Sequence, residues 1–322
     1  MIILTGGAGF IGSHLLKKLN DRGEKNILLV DHLASSSKWK NLLGTYFSSY
    51  ESKEDFLLKL KNIKNIKAIF HLGACSSTTE NNLDYLIKNN LEYSKTLFSY
   101  ATEKKIIFIY ASSASVYGNG EKGYSDEHNK HECYRPLNPY GFSKYIFDSW
   151  VLSQKNTPPL WFGLRFFNVY GENEHHKGFM KSVVSKAYEE ILATGSLKLF
   201  KSHNPDYKDG EQKRDFIYVE DVVSVLFQLW DKKLLESDSG IYNLGSGEAR
   251  SFHDLGRAMF KALQKKENVA WTPMPEDLKN QYQYYTKAPM EKLRSLSFID
   301  QKFHSLEEGI HAFFRKKKIL NF

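Results

Sequence analysis

The chain has 322 residues, 41% hydrophobic and 25% charged, with a formal net charge of +8 at pH 7. That length suffices for one large domain with a smaller lobe, and no apolar run approaches the roughly 18 residues of a membrane span. Two cysteines, Cys75 and Cys133, do not make a disulfide framework and fit a reducing cytoplasm. The positive balance suits anionic substrates, but the lysines are scattered rather than gathered in a basic stripe, which argues against nucleic acid.

The chain opens on a short apolar run, Ile2 to Leu4, that reads as a buried strand, so the N-terminus is not expected to be a signal peptide. Gly6 follows, and Gly7, Gly9 and Gly12 then give the spacing G-x-G-x-x-G at the start of a helix over about Phe10 to Arg22. Glycines there permit a tight turn, a close approach of phosphate to backbone, and close helix–strand packing. The helix N-terminus directs its amides at an anion. A second strand, Ile27 to Val30, ends at Asp31, where a ribose hydroxyl is expected.

A loop over Leu33 to Asn41 precedes a strand at Ala68 to His71 and a long amphipathic helix at about Leu83 to Lys104. Ile106 to Ala111 is the next strand, closing on Ser112 and Ser113. A helix from about Pro139 to Gln154 has proline in its first turn, and Leu160 to Phe166 follows as a strand. Alternating strands and helices predict a Rossmann-type α/β fold, a doubly wound parallel sheet with ligands at the carboxyl ends of its strands. Asp31, Gly73, Ser113 and Asn168 all fall just past such ends.

The second half is less regular. Strands near Leu197–Phe200, Arg214–Val219 and Gly240–Leu244 alternate with helices near Gly178–Ala193, Val222–Lys232 and Phe252–Lys265. Residues 1–170 are expected to form mainly the dinucleotide-binding domain. Residues 171–322 would form a smaller, partly interleaved α/β substrate-binding lobe, with segments of about 214–245 returning to the sheet. The run Arg315 to Lys318 reads as a solvated helix end.

Tyr140 and Lys144 lie four apart on one helix face. A neighbouring ammonium favours phenolate and turns a tyrosine into a base for an alcohol proton. Ser113, at a strand end beside the glycine turn, can hold that alcohol, and Lys144 can also hold a nicotinamide ribose.

These features, with Ser112 to Gly118 (Ser-Ser-Ala-Ser-Val-Tyr-Gly) and Arg165 to Gly171 (Arg-Phe-Phe-Asn-Val-Tyr-Gly), resemble the extended short-chain dehydrogenase/reductase family of nucleotide-sugar enzymes. His71 to Glu80, His176-Lys177-Gly178, Lys213 to Phe216 and Tyr242 to Gly245 narrow the resemblance to its ADP-heptose 6-epimerase branch, over nearly the whole chain. That resemblance implies interconversion of two ADP-heptose epimers through a transient C6 ketone, with hydride kept on tightly bound NADP, in supply of the lipopolysaccharide core. Tyr140 would serve one epimer and Lys177 the other.

The resemblance also implies cofactor contacts from Phe10, Ile11, Asp31, His32, Lys38, Lys53, Leu72, Gly73, Ala74, Cys75, Ser76, Asn89, Lys144, Val169 and Lys177, beside Gly6, Gly9 and Gly12. Asp31 alone favours NAD, because an acid repels a 2′-phosphate, whereas Lys38 and Lys53 offset that repulsion. NADP is expected, with NAD usable. Substrate contacts implied in the same way are Ser113, Asn168, Phe179, Lys186, Phe200, Lys201, Ser202, His203, Arg214 and Tyr282. Phe179 and Lys186 depart from the residues expected at their positions. Related dehydratases carry Asp-Glu where this chain has Ala114 and Ser115, and a UDP-hexose 4-epimerase lacks Lys177 in its His-Lys-Gly setting. The family self-associates, and the helices at Leu83–Lys104 and Pro139–Gln154 are candidate pairing surfaces for a homo-oligomer. No metal is expected.

Overall fold

A computed structural model describes residues 1–279, 282–296 and 302–320. The strands are β1 (Ile2–Thr5), β2 (Ile27–Asp31), β3 (Ser49–Ser52), β4 (Ala68–His71), β5 (Ile107–Ser113), β6 (Trp161–Phe166), β7 (Asn168–Tyr170), β8 (Leu197–Phe200), β9 (Lys213–Tyr218), β10 (Gly240–Leu244), β11 (Ala249–Ser251) and β12 (Val269–Thr272). Seven of them form an all-parallel sheet in the order β10-β6-β5-β4-β1-β2-β3. Two small sheets, β11-β9-β7 and β12-β8, lie outside it. Of the segment 214–245 expected to return to the main sheet, Gly240–Leu244 does so, beside β6. Lys213–Tyr218 instead pairs with β7 and β11.

The helices are α1 (Phe10–Asp21), α2 (Lys53–Lys59), α3 (Leu83–Leu86), α4 (Tyr93–Lys104), α5 (Pro139–Leu152), α6 (Val183–Thr194), α7 (Val219–Asp231) and α8 (Phe252–Ala262), with further helices at Glu276–Lys279, Glu291–Arg294 and Leu306–Leu320. Side chains alternate across a strand, so neighbours on β1 report opposite faces. Ile2 and Leu4 pack in one core with Leu15, Leu16 and Leu19 of α1 and Val222, Val225 and Leu226 of α7. Ile3 packs in a second core with Phe56 of α2, Leu97 and Phe98 of α4, and Phe147 and Val151 of α5. The sheet is therefore covered on both sides, as its near-continuous apolar strands require. No helix among the described residues is long and apolar enough to cross a membrane.

Several segments differ from those expected of the sequence. The loop expected at Leu33–Asn41 contains a 3-10 turn, Ser37–Leu42. The helix expected over Leu83–Lys104 is interrupted by a π-helical stretch, Ile87–Glu92, between α3 and α4. The helix expected from Gly178 starts only at Val183, where Ser182 caps it by accepting from the Ser185 amide. Before it, His175–Met180 forms a separate 3-10 segment broken at Gly178, whose φ of 54° and ψ of −127° suit a residue without Cβ.

Candidate active site

The carboxyl ends of β1, β2, β4, β5 and β6 open into a cavity of about 740 Å³. Every cofactor residue named from the sequence lines it, from Gly6, Gly9, Phe10, Ile11 and Gly12 through Asp31, His32, Lys38 and Lys53 to Asn89 and Val169. Ser113, Tyr140, Lys144, Asn168 and Lys177 line the same space. A Cβ built on Gly12 would lie 2.1 Å from the Gly6 carbonyl oxygen, so the helix can start this close to β1 only with glycine there. The Tyr93 hydroxyl, buried in the cavity wall, has no hydrogen-bond partner among the described residues. The close-packed glycine turn and this unpaired donor fit a dinucleotide.

Asp31 is fully engaged. Its carboxylate accepts the Ala8 amide at 2.9 Å, the His32 amide at 2.7 Å and the Lys38 ammonium at 2.8 Å. It pins the glycine turn while Lys38 cancels its charge. Lys53 donates to Asn89 at 2.7 Å, so both lysines stand beside the place where a ribose would meet Asp31.

The wall carrying Tyr140 is densely tied. Asn138 caps α5 by accepting the Gly141 amide at 2.8 Å, and a Cβ on Gly141 would lie 2.8 Å from the Ser115 carbonyl. Glycine at that position brings Tyr140 against the turn that holds Ser113. Burial pushes the Tyr140 phenol up from its ordinary value and its hydrogen bond with Ser113 pulls it back. Burial lowers Lys144 to about 8, and its ammonium donates to the Ala111 carbonyl at 2.9 Å.

Asn90, which no sequence motif marks, joins three elements. Its side-chain oxygen accepts the Cys75 amide at 2.8 Å, and its side-chain nitrogen donates to the Cys75 carbonyl and to Ser143 at 3.0 Å each. Ser143 in turn donates to the Tyr140 carbonyl at 2.7 Å. Beneath lies a second chain. Ser94 spends its proton on the Asn90 carbonyl, so His71 Nε2–H donates to Ser94 and His71 Nδ1 accepts the Thr5 hydroxyl at 2.7 Å. Burial, with Lys144 nearby, lowers His71 to about 3 and keeps it neutral.

Lys177 comes from elsewhere. It sits in the 3-10 segment before α6, its ammonium 5.0 Å from the Phe10 ring centre and 3.2 Å from the Glu174 carboxylate. Phe10 opens α1, which packs on one face of the sheet, whereas α5 packs on the other through Phe147 and Val151. Lys177, beside Phe10, and Tyr140, on α5, line the same cavity.

The proposed substrate residues separate into groups. Phe179 is 72% exposed and Lys186 is exposed on α6, and neither lines the cavity. Phe200, Lys201, Ser202 and His203 end β8 beside Tyr284, whose hydroxyl accepts the His203 amide at 3.0 Å. Arg214 lies next to them, buried, 5.0 Å from the Tyr282 ring and 5.7 Å from that of Phe252, which lines the cavity. Among the described residues no carboxylate pairs with Arg214, and burial lowers its pKa. A buried guanidinium without a counter-ion is a receptor for an anion.

The sequence profile of the NAD dependent epimerase/dehydratase family matches residues 2–245. The chain is 47% identical over 321 residues to the ADP-L-glycero-D-manno-heptose-6-epimerase of Fusobacterium nucleatum subsp. nucleatum, covering 96% of each chain. It is 42% identical to the protein of that name from Nitratidesulfovibrio vulgaris, over 98% of this chain and 97% of the relative. The crystal structure of the Helicobacter pylori ADP-L-glycero-D-manno-heptose-6-epimerase superposes with a TM-score of 0.83 at 30% identity, covering 99% of this chain and 96% of that one.

Proposed function

The chain belongs to the NAD-dependent epimerase/dehydratase family, and from that membership we propose that it interconverts ADP-D-glycero-D-manno-heptose and ADP-L-glycero-D-manno-heptose at C6. The observation that supports this reading is that Tyr140, on a helix covering one face of the sheet, and Lys177, beside the first residue of a helix covering the other, line one cavity. Inversion through a transient C6 ketone needs the same carbon served on two faces, so one proton-handling group on each side meets the requirement. The nicotinamide dinucleotide, when bound, takes the C6 hydride and returns it, so no net redox change results.

The chain's own residues supply the rest. Ser113 and Tyr140 hold the sugar hydroxyl and move its proton, with Lys144 orienting the cofactor ribose. Lys177 handles the proton for the other epimer. Arg214, with Tyr282, holds the diphosphate, and the β8 end with His203 lies alongside. Asn168, at the start of β7, offers an amide to the sugar. Asp31, already neutralised by Lys38, leaves room for a 2′-phosphate that Lys38 and Lys53 would meet, which favours NADP. A UDP-hexose 4-epimerase is the alternative, against which stand Lys177 in its His-Lys-Gly setting and the names of the similar proteins.

The test is to incubate the purified protein, with no added cofactor, with either ADP-heptose epimer and to follow the C6 configuration by NMR. Conversion in both directions is expected, and nucleotide released on denaturation should carry a 2′-phosphate. No conversion, alongside turnover of UDP-galactose, sinks the reading. An unchanged NADP/NAD affinity ratio after replacing both Lys38 and Lys53 with alanine removes the NADP assignment.

A further inference from the structure

The segment that carries Lys177 is held by polar ties rather than packing: His175 and His176 bond Ser37 and Asn41. No residue of His175–Met180 is buried, Gly178 adopts a conformation open to glycine, and Phe179 is 72% exposed. Yet the segment starts from a carboxylate that is only 2% exposed, Glu174. Burying a carboxylate is costly unless charges and hydrogen bonds compensate.

All the compensation for Glu174 comes from its own neighbourhood. One oxygen accepts the Ser182 hydroxyl at 2.6 Å and the Ser185 hydroxyl at 2.8 Å. The other accepts the Ser182 amide at 2.7 Å and the Lys177 ammonium at 3.2 Å. The Glu174 carbonyl also accepts the Lys177 amide at 2.9 Å. Ser182 is the cap of α6, a twelve-residue helix packed into the core through Val184, Ala187 and Ile191. Glu174 is thus the link between a fixed helix and a lysine on a segment without apolar anchors.

We propose that Glu174 is the positioning residue for Lys177, and that it acts on the reaction only through that lysine. The inference rests on the proton-handling role proposed for Lys177. An ammonium has three donors. Committing one to Glu174 sets the direction of the side chain; as the free amine the same nitrogen takes the alcohol proton when hydride leaves C6, and as the ammonium it returns that proton when hydride comes back. Holding a reacting group in place matters because a displacement of about 1 Å can cost roughly 100-fold in rate.

The test is single-turnover reduction of the bound nicotinamide, followed by its absorbance, with each ADP-heptose epimer supplied separately. Lys177→Met is expected to slow hydride removal from one epimer and spare the other. Glu174→Gln should slow the same epimer about 10- to 100-fold, with the other changed less than twofold. The double variant should be no slower than Lys177→Met alone. The Ser182→Ala/Ser185→Ala variant keeps the carboxylate and loosens its hold, and should show the same epimer bias more weakly, even if Glu174→Gln folds poorly. Equal slowing of both epimers in these variants, no slowing of either, or additive losses in the double variant overturns the proposal. A Lys177→Met enzyme without epimer bias removes the role of Lys177 and that of Glu174 with it. Bias in Lys177→Met but not in the Glu174 and serine variants removes Glu174 alone.

Discussion

Tyr140 stands in the first turn of a fourteen-residue helix whose inner face is buried, and the turn beneath it is tied to β4 and to the π-helical stretch by Asn90. Lys177 stands in a six-residue 3-10 segment with no buried residue, its own ammonium tied to one carboxylate and the segment to Ser37 and Asn41 through two histidines. Two groups proposed for matching chemical tasks are thus held by different physics: one by packing and a connected polar network, the other by a charge pair at a helix cap. The packed wall contributes to folding as well as lining the cavity. The suspended wall can be disturbed at little cost to stability, because few buried contacts depend on it.

The largest expected effect tests whether the walls really divide the work. Tyr140→Phe removes the hydroxyl and keeps the ring, and should lower turnover by about 10²- to 10⁴-fold. Measured with each epimer separately, it should spare the epimer that Lys177→Met slows. If both variants slow the same epimer, the two walls do not serve opposite stereochemistries.

A second measurement concerns the cost carried by the packed wall. Burial lowers Lys144 from 10.5 to about 8, so the folded protein gives up this proton more readily than the unfolded chain. Between those values the unfolded state binds more protons, and stability therefore rises with pH. At neutral pH the penalty is on the order of 3 kcal/mol. Denaturant unfolding across pH 7–11 should show the rise in the parent protein and its loss in Lys144→Met. An identical slope in both would mean that Lys144 is not held buried and charged.

The smallest expected effect sharpens the contrast. Asn90→Ala leaves both backbone groups of Cys75 without their partner and should cost about 2 kcal/mol, read as a lower melting temperature. Ser182→Ala, on the other wall, should cost about 1 kcal/mol as the loss of a helix cap. Equal losses would show that the two walls are equally built into the fold.

The strand–glycine–helix start was legible because each part has its own local signal: an apolar run, a glycine spacing, an acid at the next strand end. The sheet strands β4, β8 and β10 were legible as apolar runs between turns. β7 and β11 have three residues each, too few for any periodicity to show. Ser49–Ser52 carries no apolar side chain except Tyr50, so β3 gave no strand signal. Glu174 was hidden for a different reason. Its serine partners lie eight and eleven residues on, beyond the break at Gly178, where no local pattern links them to it. Arg214 could be named from its setting, but that it is buried with no carboxylate partner among the described residues is a property of the folded packing that no linear pattern contains.

The π-helical stretch Ile87–Glu92 also bears on how this chain tolerates length changes. An ordinary helix turns about 100° per residue, so adjacent side chains diverge. Here adjacent asparagines are both put to use: Asn89 lines the cavity and receives Lys53, while Asn90 locks Cys75 to the Tyr140 helix. The wider winding makes room for one more residue than an α-helix needs. Excising a single residue between 87 and 92 would give the segment a more regular helix and remove that doubled use, trading local regularity for loss of alignment between the cofactor turn and the catalytic helix. Deletion scanning along 83–104 should therefore find its least tolerant positions here, at the helix's least regular point.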